Sequence, residues 1–208
     1  MRRIFVTGIG TGVGKTIVSA IITEALQADY WKPIQTGSIE GTDTETVKKL
    51  ITNSKTKIHP EAYCLPMPVS PHEAAEAEGV SISLKNIHVP ATSNTLIIEG
   101  AGGLMVPLND KETMLDFIKT LNAEVILVVR NYLGSINHTL LSINAIKEKR
   151  IPLAGIIYNG QPNPSSEEAI EAFCKPHVIG RIGHENKFTP PIISKYAKSM
   201  YPSLKGLI

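Results

Sequence analysis

The chain has 208 residues, of which 42% are hydrophobic and 19% are charged, and its formal net charge is +2. This length predicts a single domain, spanning residues 1–208, with a sizeable buried core. So small a charge argues against a nucleic-acid partner, which usually requires a basic patch, and small molecules become the expected ligands. No apolar run approaches the roughly 18 residues of a transmembrane helix, so no membrane partner is expected.

The cysteines indicate a reducing compartment. Cys64 and Cys174 are the only two, and they lie far apart in the sequence. Neither belongs to a Cys-x-x-Cys or Cys/His pattern, and such isolated cysteines are typical of reduced thiols in cytosolic proteins. We therefore expect a cytoplasmic protein and assign the cysteines no metal or disulfide role.

Short apolar runs alternate with stretches of helical periodicity along the chain. The runs lack polar alternation, as strands buried on both faces do. This pattern predicts an α/β fold in three layers, with a mostly parallel central sheet and helices on both faces. The predicted strands are residues 4–6, 30–31, 96–98, 125–129, 154–158 and 178–180. The predicted helices are residues 15–27, 43–52, 71–78, 114–121, 137–149, 166–174 and 191–200.

Two of the helices have recognisable starts. Pro71 follows Ser70, as a proline in the first turn should, and either Ser165 or Ser166 begins the helix near residue 166. Residues 53–95 contain several prolines and little periodicity. We expect this segment to cross one face of the sheet.

The first predicted strand runs into a glycine-rich loop, GIGTGVGKT, at residues 8–16. Ligands of open parallel sheets bind beyond the carboxyl ends of the strands, and glycines here let the backbone aim its N–H groups inward at a helix start. Lys15 would reach the outer phosphates of a nucleotide, and the Thr16 hydroxyl would bind Mg²⁺. The loop therefore predicts a fold of the P-loop NTPase type, although its spacing is one residue longer than usual.

The second strand ends in WKPIQTG, at residues 31–37. Lys32 is close enough to the strand end to meet a negative charge near the terminal phosphate, and Thr36 can add a hydroxyl. From spacing alone, a surface lysine with a solvated head is an equally good interpretation. Asp43 follows near a helix start, where it either caps the helix or gives a carboxylate to Mg²⁺.

The third strand is LIIEGAGG, at residues 96–103, and it ends in an acid. Glu99 after a buried strand is the layout of a Walker B element, whose carboxylate contacts the metal directly or through water. Glycines at 100, 102 and 103 allow the backbone to approach a ligand. Packing explains this combination poorly, so a functional role is favoured.

Two later strand ends carry weaker signals. The stretch NYLGSINHT, residues 131–139, leads into a helix and indicates a second anion site at a helix N-terminus. His138 within it is typical of a structural hydrogen-bonding residue. Asn159 and Gly160 follow the next strand, where an amide either reads a base edge or forms a turn, and the pattern alone favours the turn.

Taken together, these residues resemble the dethiobiotin synthases, ATP-dependent enzymes of biotin synthesis, over nearly the whole chain. The longer P-loop is the usual form in that family. KPIQTG, SPH at residues 70–72, EGAGG and LGSINHT resemble four further motifs of the family, in the same order. Five motifs in the right order are highly specific.

The resemblance implies that ATP and Mg²⁺ bind together with 7,8-diaminononanoate and carbon dioxide or bicarbonate. Lys15 and Lys32 would be catalytic, and Thr36 would contact the substrate. The family forms homodimers with the substrate site at the interface, so the first turn of a helix in one subunit would bind the distal carboxylate in the other subunit's site. The residues implied for that contact are Ser135, Ile136 and Asn137.

The resemblance also implies the contacts to the metal and the nucleotide. Thr16, Asp43 and Glu99 would hold Mg²⁺, and Asn159 would meet the adenine. The nucleotide contacts that the resemblance implies are Gly12, Val13, Gly14, Lys15, Thr16, Ile17, Asp43, Glu99, Gly100, Ala101, Gly102, Asn159 and Gly160.

The chain departs from the family pattern at a few positions. Gly12 stands where many relatives have an acidic residue, and Gly160 stands where they have Asp after the asparagine. GRIGHE, at residues 180–185, lacks the usual proline, and Lys32 follows the P-loop helix sooner than in relatives. These departures bear on nucleotide-base selectivity more than on phosphoryl chemistry.

Two other families share the P-loop. The cobyrinate diamide synthases usually carry a glutaminase domain, for which 208 residues leave no room. Switch ATPases of chromosome partitioning or septum positioning, which act through protein partners, typically have an extra early lysine where this chain has Gly10 and Thr11. The membrane-bound ones end in a basic amphipathic helix, unlike YPSLKGLI. The ligase is favoured, and the switch ATPase is the alternative.

Overall fold

The computed structural model describes residues 2–207, with side chains through residue 206, and its centre is a seven-stranded sheet. The strands are β1 (Arg3–Gly8), β2 (Asp29–Trp31), β3 (Ile34–Thr36), β4 (Ile58–His59), β5 (Tyr63–Leu65), β6 (Leu96–Gly103), β7 (Glu124–Arg130), β8 (Leu153–Asn159) and β9 (Val178–Ile182). The order across the main sheet is β4-β2-β6-β1-β7-β8-β9. Its strand pairings are all parallel, which confirms the predicted α/β class.

Every predicted helix is present among the described residues. The helices are α1 (Lys15–Leu26), α2 (Asp43–Leu50), α3 (Pro71–Ala77), α4 (Met114–Leu121), α5 (Ser135–Glu148), α6 (Pro164–Cys174) and α7 (Pro190–Leu204). Alternate residues of a strand point to opposite faces of the sheet. Ile4 and Val6 accordingly pack into one apolar cluster with α1 and α7, whereas Phe5 packs into the other with α4. The sheet therefore has helices on both faces, as predicted.

Strand order places the carboxyl end of β1 at a crevice. From β1 the chain crosses to β2 on one side of it, with β6 between them, and later continues through β7 and β8 on the other side. A reversal of this kind is where open α/β sheets bind ligands. The loops after β1, β2 and β6 meet there.

The segment at residues 53–95 does more than cross one face of the sheet. Its strand β4 pairs with β2 and forms one edge of the main sheet. Its strand β5 pairs with β3 in a separate two-stranded parallel sheet. These strands have only two or three residues each, which is too short for a period to be visible in the sequence.

Some predicted helix starts are wrong. The first residue of α5 is Ser135, two positions before the predicted start. The N-cap of α6 is Asn163, whose side chain accepts a hydrogen bond from the Ser166 N–H, so the predicted serine start is wrong. Pro164 then occupies the first helical position, where its missing N–H is harmless.

Within residues 2–207, the helices are too short or too polar to cross a lipid bilayer.

Candidate functional site

The loop between β1 and α1 has the conformation that its glycines allow. Gly12 and Gly14 have φ angles of +72° and +95°, in the left-handed region that glycine adopts without strain. A Cβ atom at position 14 would also collide with the side-chain amide of Asn159. Gly14 is the N-cap of α1 and offers no side-chain oxygen, so the first N–H groups of the helix are available to an anion.

Lys15 lies almost buried at the start of α1. Its Nζ donates to the Gly10 carbonyl at 3.0 Å, so the ammonium lies against the glycine-rich loop that is predicted to bind phosphates. Burial, followed by the positive charge of Lys32, lowers the pKa of Lys15 to about 8. A negatively charged ligand at this position would offset both effects.

Lys32 is not a surface lysine, because only 3% of it is exposed. Its ammonium forms ion pairs with Asp43 and, at 3.0 Å, with Oε1 of Glu99. The Gly100 carbonyl lies 3.4 Å from the same nitrogen. Burial opposes the charge, but the two carboxylates raise the pKa of Lys32 above its ordinary value. The side chain therefore carries a fixed positive charge at the end of β2.

Asp43 does not cap α2, so the capping interpretation is wrong. The cap is Thr42, whose side chain accepts from the Glu45 N–H while the Glu45 carboxylate accepts from the Thr42 N–H. Asp43 is free to turn inward, toward Thr16 and Lys32. Burial works against its charge, but Lys32 and the hydroxyl of Thr16 hold the pKa of Asp43 below its usual value.

Three oxygen atoms from three elements converge beside Lys32. The Thr16 Oγ1 lies 2.8 Å from Oδ1 of Asp43 and 2.9 Å from Oε1 of Glu99. A hydroxyl has one proton, so it cannot donate fully to both carboxylates. A hydroxyl and two carboxylates are hard oxygen donors of the kind that Mg²⁺ prefers, and the set fits that ion. Within the described residues no site has three His, Cys, Asp or Glu side chains, so further ligands would come from phosphate oxygens or water.

Two residues outside the predicted site, Tyr30 and Gln35, support this centre from behind. Tyr30 donates its hydroxyl to Oε2 of Glu99 at 2.9 Å. Gln35 accepts from the Asp43 N–H at 3.0 Å and donates to the Thr36 carbonyl at 2.7 Å. Neither was predicted as a site residue, because Tyr30 resembles a core residue of a strand and Gln35 lies inside a motif whose other residues carry the signal. Their signal was a polar group at an otherwise buried strand position.

One cavity of about 540 Å³ joins most of the predicted site residues. The predicted residues that line it are Gly12, Gly14, Lys15, Thr16, Ile17, Lys32, Thr36, Asp43, Glu99, Ala101 and Gly102. Val13 is buried beneath the loop, and Gly100 packs against Phe5. Gln35, Glu40 and Pro68 complete the wall on the side of Thr36.

Asn159 lies behind the loop rather than in this cavity. It is the last residue of β8, and the chain turns only at Gly160, where φ is +98°. Its Nδ2 donates to the Val13 carbonyl at 2.7 Å. The side chain therefore braces the loop, and its contact with a base stays a prediction.

The first turn of α5 does not line the Lys15–Lys32 cavity within one chain. Ser135 is buried, and its hydroxyl has no partner among the described residues. Ile136 and Asn137 line a different cavity of about 760 Å³. His138 is hydrogen-bonded through Nδ1 to the Tyr132 hydroxyl at 2.8 Å, as expected of a structural histidine.

The sequence is similar to a well-defined set of proteins. A family profile described as "AAA domain" matches residues 2–192. An ATP-dependent dethiobiotin synthetase BioD of Christiangramia forsetii is 53% identical over 197 residues, which are 95% of each chain. The namesake of Cytophaga hutchinsonii is 48% identical over 202 residues, covering 97% of this chain and 98% of the relative.

More distant similarity extends to solved structures of P-loop proteins. The cell division ATPase MinD of Pyrococcus furiosus superposes with a TM-score of 0.63 at 16% identity, over 100% of both chains. A plasmid partition protein of Borrelia burgdorferi bound to AMPPNP superposes with a TM-score of 0.59 at 13% identity, over 99% of this chain and 97% of that one. At such identities the similarity shows the fold alone, and the fold agrees with the predicted P-loop NTPase type.

Proposed function

The chain belongs to the dethiobiotin synthetase family, and on that premise we propose that it converts 7,8-diaminononanoate, carbon dioxide and ATP into dethiobiotin, ADP and phosphate. The observation that carries this proposal is the convergence of Lys15 and Lys32 with Thr16, Asp43 and Glu99 at one cavity. We propose that residues 1–208 form a single catalytic domain.

The proposed reaction has three balanced steps. One amine of the substrate adds to carbon dioxide and loses a proton, which gives a carbamate. An oxygen of the carbamate then attacks the γ-phosphorus of ATP, the bond to the bridging oxygen breaks, and ADP leaves. The second amine attacks the carbonyl carbon of this carbamic-phosphoric anhydride and loses a proton, the bond from that carbon to the phosphate oxygen breaks, and the ureido ring closes as phosphate departs.

The two lysines would offset the main electrostatic cost of the second step, which is the repulsion between two anions. A carbamate and a triphosphate are both anions, and charge spreads over the oxygens of the transferring group. Lys15 lies at the end of the P-loop, beside the place where the β- and γ-phosphates would bind. Lys32 directly follows β2, which is separated from β1 by β6, and it lines the same cavity as the P-loop and Thr36. We assign Lys32 to the γ-phosphate and the carbamate, and Thr36 to the substrate.

Thr16, Asp43 and Glu99 are the residues that would hold Mg²⁺. When bound, the ion supplies neutralising charge to the phosphate oxygens. The residues themselves are held without it, because Tyr30 holds the Glu99 carboxylate and Gln35 holds the backbone N–H of Asp43. Their preorganisation lowers the reorganisation needed when the nucleotide binds.

Ring closure depends on position more than on acid–base chemistry. Holding the second amine against the carbonyl converts an encounter into an intramolecular step, and in well-oriented cases this contributes on the order of 7 kcal/mol or more. Thr36, Gly37 and Pro68 line the same cavity as the P-loop, and we assign them as the surface on which a short aliphatic diamine would rest.

We propose that two chains pair, with the first turn of α5 from one subunit completing the substrate site of the other. Support comes from apolar side chains exposed near that turn: Leu133 is fully exposed, and Met105 and Leu141 are 67% and 59% exposed. Monomeric proteins rarely leave such a group uncovered. The N–H groups of the turn would receive the distal carboxylate.

An assay of ADP release tests the proposal against the switch-ATPase alternative. With ATP and Mg²⁺ present, ADP release is expected to require both the diamine and bicarbonate. A switch ATPase would hydrolyse ATP without the diamine and would respond to a protein partner instead. Release of ADP that is indifferent to the diamine, in well-folded protein, would sink the ligase proposal.

A further inference from the structure

Two neighbouring strand ends hold two successive carbonyl groups of the P-loop. Arg130 ends β7 and Asn159 ends β8, and the two residues pair in the sheet register. Arg130 donates from Nη1 to the Gly12 carbonyl at 3.1 Å. Asn159 donates to the Val13 carbonyl at 2.7 Å. Both contacts approach the loop from the side of β7 and β8, away from Lys32 and Glu99.

The orientation of a carbonyl decides the orientation of the N–H in the same peptide group. In a planar trans peptide the C=O and the N–H point in opposite directions. The contact to the Gly12 carbonyl therefore turns the Val13 N–H away from Arg130. The contact to the Val13 carbonyl likewise turns the Gly14 N–H away from Asn159.

These two N–H groups have no acceptor within the described loop, and Gly14 lines the 540 Å³ cavity, while the Val13 side chain is buried beneath it. Within the described residues, neither the Val13 N–H nor the Gly14 N–H donates to a protein acceptor. The loop has little stiffness of its own at this point, because Gly12 has no side chain and nothing lies within 4 Å of where its Cβ would be. External contacts must therefore fix the peptide orientation.

Arg130 suits this task better than a shorter side chain would. Its guanidinium reaches the loop across Gly160, where an added Cβ would lie 3.7 Å from the Arg130 Nε. A guanidinium carries several N–H donors in a fixed plane and stays charged at all physiological pH values. A charged donor also makes a stronger bond to a carbonyl than a neutral one.

We propose that Arg130 is a positioning residue of the phosphate site, which presents the Val13 N–H to the phosphates by holding the Gly12 carbonyl. The proposal rests on ATP being the nucleotide of the proposed function. Arg130 acts on the loop rather than on the reacting atoms, so it sets the affinity for the phosphates and leaves the chemical step at saturation unchanged.

The test compares Arg130→Ala and Arg130→Lys with wild type and with Lys147→Ala. Lys147 is exposed on α5 and controls for the loss of one surface charge. Calorimetry gives the affinities for ATP and for inorganic tripolyphosphate, each with Mg²⁺, and steady-state assays give kcat and KM for ATP. Thermal unfolding of the free protein reports any general loss of structure.

For Arg130→Ala we expect affinities for ATP and tripolyphosphate that both fall about ten-fold, with kcat within about three-fold of wild type and an unchanged melting temperature. Arg130→Lys should recover part of the affinity because a lysine can also donate to the Gly12 carbonyl. The loss should persist at about 0.5 M salt, where long-range attraction is screened.

Three results would overturn the inference. The Arg130→Ala affinities could stay within two-fold of wild type, the loss could occur for ATP but not for tripolyphosphate, or the loss could vanish at high salt. In each case wild type still binds ATP, and the proposed function stands. A wild-type protein that binds neither ligand would overturn the proposed function together with this inference.

Discussion

The hydroxyl of Tyr30 donates a hydrogen bond to Oε2 of Glu99 at 2.9 Å, and both side chains are almost fully buried. The bond occupies one carboxylate oxygen, so only Oε1 faces Thr16 and Lys32. Burial, and then the negative charge of Glu99, raise the pKa of Tyr30 well above its ordinary value, which keeps the hydroxyl protonated as a donor. A residue of the core thus orients a residue of the site.

Replacing Tyr30 with phenylalanine should disturb both stability and the metal site. The change leaves Oε2 of Glu99 buried without its donor, which is expected to lower the free energy of unfolding by about 2 kcal/mol. A less firmly held carboxylate should also raise the Mg²⁺ concentration needed for half-maximal activity. Urea unfolding and a Mg²⁺ titration measure the two effects, with Tyr201→Phe on the exposed side of α7 as control. Wild-type values in both would show that the bond does not orient Glu99.

Lys32→Ala should remove turnover while sparing nucleotide binding. In the proposed mechanism the ammonium stabilises the transferring group, and loss of a single stabilising charge in such sites lowers kcat by roughly 100-fold or more. The P-loop contacts remain, so ATP affinity should stay within about five-fold. The variant also leaves Glu99 without its buried ion-pair partner and should be less stable, so ATP binding doubles as the check that it is folded. Turnover equal to wild type would remove Lys32 from the mechanism.

Asp43→Asn should weaken the response to Mg²⁺. An amide can still accept from Thr16, but it lacks the charge that attracts a divalent cation, and the half-maximal Mg²⁺ concentration should rise about ten-fold. Glu45→Gln is the matched control, because Glu45 lies in the same first turn of α2 and serves only the capping box. Equal Mg²⁺ titrations for the two variants would exclude Asp43 as a ligand.

The lowered pKa of Lys15 makes a prediction about stability. Its pKa is about 8 in the folded protein against 10.5 ordinarily, so the unfolded chain binds more protons between these values, and stability rises with pH there. Below pH 8 the buried charge destabilises the free protein in full, by at most about 3 kcal/mol. Lys15→Met should therefore be more stable than wild type at about pH 7, and the difference should shrink by about pH 9.5.

Urea unfolding at the two pH values measures this difference, and Lys147→Met shows how an exposed lysine behaves. A stability gain that stays constant, or grows, as the pH rises would contradict the lowered pKa of Lys15.

The sequence was most informative where a residue type has few structural uses. A functional site is indicated by Lys15 after a glycine-rich loop and by Glu99 at the end of a buried strand, because packing does not require a charged residue at either position. Residues with a second plausible structural role were harder to assign to the site. Tyr30 fits a strand core, and Asp43 fits a helix cap, although the pair Thr42 and Glu45 carried the capping-box spacing that assigns the cap elsewhere.

Contacts that depend on the order of strands in the sheet could not be predicted from the sequence. Arg130 and Asn159 meet the P-loop only because β7 lies next to β1 and β8 next to β7. The short strands β4 and β5 exist because β2 and β3 offer them partners, since two or three residues have no stability as an isolated strand. The helices were found because amphipathic periodicity is local.

Incorporation of carbon from bicarbonate into a ureido ring is the most direct measurement of the proposed ligase activity. With ¹³C-bicarbonate, ATP, Mg²⁺ and 7,8-diaminononanoate, the protein is expected to place the label in the carbonyl of a ureido ring and to release one ADP per ring, as read by NMR and mass spectrometry. Lys32→Ala should form little or no labelled ring. ATP consumption by the wild-type protein with no label in a ureido product would contradict the proposed ligase activity.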